Sequence, residues 1–336
     1  MTIYDIAREA GVSASTVSRV INKKAGIKES TRKRVQKLLD EHHFTPDASA
    51  RGLVTQASRF IGILIEDIRV VHHTESVYVI EQEMTRQGYT CITFSTGADE
   101  AQKAQYIEIL EQRRVEGAIF IGSMFGTETV RKSVEKHLPN IPVVLVNGTM
   151  DLPNGYSVLS DEERGMEECV ALLARNGRRR LAYLKDIDTP ANEKKHQGFC
   201  TGMLRCGLDA AGCSFFVETD EASGPARALA RGRAETAALL RQKPDVDGIL
   251  CATDLLAIGC MQELKARGIA VPEQVAVIGV DNTLYGQLCT PTLTTLDNKL
   301  GEVSLAAANT LLDVLQGRPV SRKLLLPAEI IPRESI

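Results

Sequence analysis

The sequence predicts a small all-α helix-turn-helix head followed by an α/β body made of two doubly wound parallel-sheet lobes. Three observations carry that reading. The first 44 residues hold three short stripes of apolar residues at helical spacing, separated by turns. From residue 59 onward, apolar strand runs alternate with helical stretches. Midway through the body the alternation starts again, which implies a second sheet.

In TIYDIAREAG, residues Ile3, Ile6, Ala7 and Ala10 share one helical face, and Gly11 ends the helix. Ser13 is placed to cap a second helix whose buried stripe is Val17, Val20 and Ile21. The connection is so short that Val12 packs into the corner of a tight helix–turn–helix. A third helix begins near Ser30, with Val35, Leu38 and Leu39 inward and Arg32, Lys33, Arg34 and Lys37 outward. If the second helix enters a DNA major groove, the short hydroxyls of Ser13, Ser15 and Thr16 reach phosphates at its amino end. Arg19, one turn further on, reaches a guanine edge bidentately, and Ser18 and Asn22 touch the backbone at the groove's edges. A plainer reading fits the same residues: Ser13 only caps, and Arg19 is a solvated helix arginine.

Residues 45–58, TPDASARGLVTQAS, read first as a linker. Ala48 to Leu53 would also make one or two helical turns, marginal alone in water and ordered only by a partner. In the body, FIGILIED, YTCITFST, GAIFIGS and IPVVLVN read as the strands of one lobe, with helices at 75–86 and 106–110. RRLAYLKD, CSFFVET, DGILCAT and VAVIGVD are the strands of the other. Ligands of such sheets sit beyond the strands' carboxyl ends. That rule selects Asp67, Arg69, Ser123, Asn147, Asp186, Thr253, Asp254 and Asp281, although polar residues there also serve as plain turn formers.

Composition narrows the classes. The chain has 336 residues, 43% of them hydrophobic and 25% charged, which is ordinary for a globular protein. No apolar run is long enough to span a membrane, and the amino terminus lacks a basic-then-apolar leader, so a cytoplasmic chain is expected. The eight cysteines form no CxxC pair and read as free thiols, with no metal and no cofactor. Residues 1–58 hold 10 Lys/Arg against 6 Asp/Glu, which leaves 30 against 37 for the remainder. A basic head on an acidic body suits a nucleic-acid reader with a separate control domain. An enzyme is disfavoured, since GxGxxG after a strand, GxxxxGK[ST] and GxSxG are all absent. A solute-binding module without a DNA role remains the alternative, but it leaves the head unexplained.

TIYDIAREAGVSASTVSRVIN, then STRKRV, then HHFTPDASARGL resemble the head of a LacI/GalR transcriptional regulator. The resemblance implies that Arg19 reads a base, that Ala14 and Ser15 are the positions that vary with operator, and that Thr2 belongs to the DNA-contacting set. It also implies paired hinge helices in the minor groove, with Leu53 as an apolar wedge and Ala50 allowing close approach. Lys28 stands where the family has a serine or threonine cap, so the third helix is expected to fray or to shift its start to Ser30.

CATDLLAIGCMQELKARGIAVPEQVAVIGVDN and TPTLTTLD resemble the family's periplasmic-binding-protein-like sensor, which places Asp254 and Asp281 in or beside an effector cleft. Lys195 takes the place of a clamping arginine, His72 and His73 replace an apolar-aromatic pair, and Thr253 replaces an asparagine. With no tryptophan present, a lysine and two histidines facing the cleft would suit an anion, with a neutral sugar as the competing ligand. The resemblance therefore implies a repressor acting on double-stranded operator DNA, controlled by a sugar, sugar acid or sugar phosphate. A homodimer is expected, with the Glu75–Arg86 helix in its interface and a tetramer left open. The domains are then 1–44, the hinge 45–58 and the body 59–336, with one lobe at 59–158 and 291–318 and the other at 159–290 and 319–336.

Overall fold

Thr2 starts the first helix, α1 (Ile3–Glu9), through a reciprocal capping box. Its hydroxyl accepts the Asp5 amide at 3.3 Å, and its own amide donates to the Asp5 carboxylate at 2.9 Å. Ser13 caps α2 (Ala14–Ile21) in one direction, accepting the Thr16 amide at 3.2 Å. Helix α3 (Glu29–Glu41) opens at Lys28, without a side-chain cap, and not at Ser30. The Lys28 carbonyl takes the Arg32 amide, and the Arg32 guanidinium donates to the Lys24 carbonyl at 2.8 Å, which ties the preceding loop down. Arg32 is therefore half-buried, whereas Lys33, Arg34 and Lys37 stay exposed. Ile6, Val17, Val20, Val35 and Leu39 close the core of this unit.

In this computed structural model the described residues are 1–21, 24–42, 58–218 and 224–336, and they divide into the units 1–58 and 59–336. In the larger unit, strands β1 (Phe60–Ile65), β2 (Thr90–Ser95), β3 (Gly117–Ile121), β4 (Val143–Val146), β5 (Gly155–Asp161) and β11 (Lys323–Pro327) form the first sheet, in the order β11-β5-β4-β3-β1-β2. The second sheet runs β12-β10-β9-β8-β6-β7, from β6 (Leu181–Leu184), β7 (Ser214–Phe215), β8 (Gly248–Cys251), β9 (Ala276–Val280), β10 (Thr294–Asp297) and β12 (Glu329–Ile331). All pairings are parallel except β10 with β12. Strands such as FIGILI and GAIFI carry apolar residues at both parities because helices cover both faces of a parallel sheet. At Gly62 a Cβ would stand 2.5 Å from Leu110, so glycine is what lets the covering helix approach β1.

Those helices are α4 (Val71–Arg86), α5 (Glu100–Gln112), α6 (Glu128–His137) and α12 (Leu300–Leu315) on the first lobe. On the second lobe they are α7 (Glu162–Arg175), α8 (Pro190–Arg205), α9 (Pro225–Gln242), α10 (Asp254–Ala266) and the short α11 (Leu284–Leu288). Two of the expected helices are longer than read: α4 starts four residues before Glu75 and so carries His72 and His73, and α5 extends to both sides of 106–110.

The expected lobe boundaries are corrected in two places. β10 lies in the second sheet, beside β9, although 291–318 was assigned to the first lobe. β11 pairs with β5 at the edge of the first sheet, although 319–336 was assigned to the second. Both strands are short, and an apolar pattern records that a strand exists, not which edge it joins. The chain thus crosses between lobes three times: after β5, after β10, and between β11 and β12. All eight cysteines are free thiols. Among the described residues no helix is long and apolar enough to cross a membrane, and no cluster of ligating side chains would hold a metal ion.

Candidate functional site

The amino end of α2 exposes Ser13, Ser15 and Arg19, with Ala14, Thr16 and Ser18 half-buried between them. The three hydroxyls bond one another, Ser13 Oγ to Ser15 Oγ at 2.8 Å and to Thr16 Oγ1 at 2.9 Å. This is a small, polar, protruding helix end with one guanidinium a turn behind it. Thr2 is exposed, but its hydroxyl serves the α1 capping box. Asn22, Ala50 and Leu53, and with them nearly all of the segment 45–58, lie outside the described residues.

In the body, the carboxyl ends of β1, β3 and β4 face those of β6, β8 and β9 across a cavity of about 610 Å³. Seven of the eight predicted cleft residues line it: His72, His73, Ser123, Asn147, Lys195, Thr253 and Asp281, together with Asp67, Arg69 and Asp186. Ser123 Oγ accepts the Ala191 amide at 3.2 Å, a direct bond between the lobes. Asn147 adopts a left-handed backbone (φ 52°), and its Oδ1 accepts the Ser160 amide at 2.8 Å. Thr253 caps α10, accepting the Leu256 amide. Asp281 has φ 107°, a strained conformation for a side-chain-bearing residue and one that often marks a working site.

Asp254 is the correction. It does not line the cavity. It lies beneath the floor, fully buried, where its carboxylate accepts the Thr283 amide at 2.6 Å, the Thr283 hydroxyl at 2.8 Å and the Thr295 hydroxyl at 2.6 Å. Gly279 makes room for it, since a Cβ there would meet Asp254 Oδ1 at 2.4 Å. Burial raises its pKa to about 6, against the pull of those hydrogen bonds. Its task is to hold the loop after β9.

Charge in the cleft is arranged in pairs. Arg69 grips Asp67 bidentately, Nε to Oδ1 at 3.0 Å and Nη2 to Oδ2 at 2.6 Å. Lys195, only 5% exposed, donates to the Ala252 carbonyl at 3.0 Å and lies 3.9 Å from Glu162. Burial acts to lower its pKa, but Glu162, Asp281, Asp186 and Asp254 together outweigh that and raise it. Burial drives Asp281 well above the ordinary carboxylate range; Lys195 opposes this, and Asp254, Glu162 and Asp186 add to it. Burial also lowers the pKa of both His72 and His73, which works against a positive charge on the pair at neutral pH.

Behind the cleft, Arg231 Nη1 donates to Asp186 Oδ1 at 2.5 Å, and Glu235 accepts the Val217 amide at 3.1 Å. Burial pushes the Glu235 pKa up to about 9. Its folded pKa lies above its unfolded value, so the folded state holds an extra proton and stability falls as pH rises from about 5 to 9. Glu235→Gln is expected to flatten that decline, by about 2–3 kcal/mol between pH 5 and 7 in urea titrations. Parallel curves for both proteins would contradict it.

Among the cavity-lining residues that escape the sequence reading are Glu162, Asn192, Arg227 and Asn298. Glu162, Asn192 and Arg227 sit in the first turns of α7, α8 and α9, whose amino ends open on the same space as the strand ends. Pro190 and Pro225 at helix starts were the available signal. Asn298 follows β10, which the expected lobe boundaries misplaced.

Residues 2–47 match the bacterial regulatory protein domain of the lacI family, and residues 170–336 match a periplasmic binding protein-like domain. An HTH-type transcriptional regulator of Lachnoclostridium phytofermentans is 31% identical, over all of this chain and 99% of its own length. The chain belongs to the LacI family. The HTH-type transcriptional repressor PurR of Vibrio vulnificus is 29% identical over the whole chain and 98% of its own. The fold matches the lac repressor dimer bound to operator and the anti-inducer ONPF, with a TM-score of 0.86 at 22% identity, covering 100% of this chain and 98% of that one. As a LacI-family member the protein is a DNA-binding transcriptional regulator. Its helix-turn-helix is the first unit, and its ligand-binding-type domain is the two-lobed body with the cleft.

Proposed function

We propose that this LacI-family protein is a repressor whose α2 reads operator DNA in the major groove, and whose grip on that DNA is set by a small polyhydroxylated effector in the cleft. The observation that carries the effector half is the convergence of polar side chains from both lobes on one cavity, of a size that suits a small ligand. The exposed α2 end, with Arg19 one turn behind its hydroxyls, supports the DNA half. In the lac repressor structure an operator and a small ligand are bound together, which supports the same division of labour here.

The protein works as a homodimer, because one head covers too little DNA for useful specificity. Helices α4 and α12 pack together through a 3.0 Å bond between Ser76 and Ser304, and present Tyr78 and Leu305, 60% and 41% exposed. An isologous interface on this face covers both side chains. Tyr78→Glu combined with Leu305→Glu is expected to give monomers by ultracentrifugation; an unchanged dimer would move the interface elsewhere.

Selection of sites from randomised duplex DNA by the full chain tests the DNA half. The expected outcome is a two-fold symmetric site, bound more weakly as salt rises. Asymmetric or unselected sequences would sink this reading. An effector should then shift affinity for that site by about 5–150-fold, the usual coupling of 1–3 kcal/mol.

A further inference from the structure

Two buried acceptors in the cleft have no donor. His73 Nδ1 lies 3.0 Å from the Asp67 carbonyl, which only accepts, so Nδ1 carries the ring proton and Nε2 is a lone pair. That Nε2 has no partner, and the residue is 3% exposed. Asn298 gives its Nδ2 to Asp281 at 3.0 Å and Glu162 at 3.3 Å, which fixes the amide orientation and leaves Oδ1 without a donor. It too is 3% exposed, and both residues line the cavity. Buried acceptors are nearly always satisfied, and an unsatisfied pair in a binding cleft points to donors supplied by a ligand.

Arg227 supplies the other half. It stands in the first turn of α9 and lines the same cavity, and among the described residues no carboxylate pairs with it. The Arg69 guanidinium carbon lies 3.3 Å from where a Cβ on Gly224 would stand, so this second guanidinium borders the start of α9, whose free amides add partial positive charge. Arg69 and Lys195 already have their acceptors in Asp67 and the Ala252 carbonyl. The buried ammonium of Lys195 also fills the position among Glu162, Asp186 and Asp281 that a cationic ligand would seek.

Resting on the cleft as the effector site, we infer that the ligand is a polyhydroxy acid of mono- or disaccharide size. Its hydroxyls donate to His73 Nε2 and Asn298 Oδ1, and its carboxylate or phosphate lies against Arg227. A neutral polyol would satisfy the two acceptors but bring no counter-charge to Arg227, which has none among the described residues. His73, which the sequence suggested among the anion's partners, reads a hydroxyl instead.

The test is calorimetric titration of the full chain with matched probes: glucose, galactose and ribose, their aldonic and uronic acids, their phosphates, and glucosamine. One acid is expected to bind at least about tenfold more tightly than its neutral parent. The carboxylate and phosphate arms decide which anion it is. Arg227→Gln should erase that margin. His73→Phe should weaken acid and parent by the same factor, and His73→Gln, which keeps an acceptor near Nε2, should restore both. A neutral or amino sugar binding most tightly, no probe binding, or a margin that survives Arg227→Gln overturns the inference. Ala191→Trp, which fills the cleft, separates the two levels. If it abolishes binding while the margin survives Arg227→Gln, only the acid assignment falls. If an acid binds the filled cleft unchanged, the effector site itself is misplaced.

Discussion

Lys195→Met is expected to lower the unfolding free energy by about 3–5 kcal/mol, the usual cost of removing one partner from a buried charge cluster. The side chain is of similar length, so little packing is lost. What is lost is the one ammonium among Glu162, Asp281, Asp186 and Asp254, with its 3.0 Å bond to the Ala252 carbonyl. The pH dependence follows from the sign of the shifts. Lys195 has a raised folded pKa, so its contribution is fully present below its unfolded value and gives the native protein no slope between pH 5 and 9. Asp281 has a folded pKa well above its unfolded one, so its share of stability falls as pH rises from about 4. Without Lys195 opposing it, that fall steepens. Urea unfolding at pH 5 and pH 8 should show a larger deficit at pH 8, and Lys195→Arg, which keeps the charge, should remove most of it. A deficit that ignores pH would show that Lys195 acts by packing alone.

Much of this was legible because parallel strands buried on both faces read as continuous apolar runs. Polar residues closing those runs then mark where ligands sit, which is how Ser123, Asn147, Thr253 and Asp281 were found. The same rule failed at Asp254, one residue beyond Thr253. A strand-end carboxylate that faces the cleft and one that turns under it have the same neighbours in sequence, and it is the glycine at 279, in the next strand of the chain, with the donors Thr283 and Thr295, that decides between them. Charge was harder still. Two adjacent histidines suggest a cation, but burial lowers the pKa of both, and the lining cation with no carboxylate partner among the described residues is Arg227, brought there by the direction of α9. The strands β10 and β11 belong to the lobes opposite to those expected for a related reason: sheet membership is settled by crossovers that no local pattern encodes.

Arg19→Ala is expected to cost about 1–3 kcal/mol of discrimination at one base pair in each half-site, roughly 10- to 100-fold per half-site. The side chain is exposed on α2, so its loss leaves folding stability within about 0.5 kcal/mol of the parent. Thr16→Ala provides the contrast. A hydroxyl on phosphate carries no sequence information, so that variant should bind all DNAs more weakly by a similar factor. The outcomes therefore differ in kind as well as in size: one flattens a single column of the selected site, and the other lowers affinity across the whole table. Identical selected sequences from Arg19→Ala and the parent would mean that Arg19 holds phosphate, and that base reading belongs to the neighbouring Ala14 and Ser15 positions. Effector titrations should be unaffected by either change, because the cleft is built entirely from residues beyond position 65.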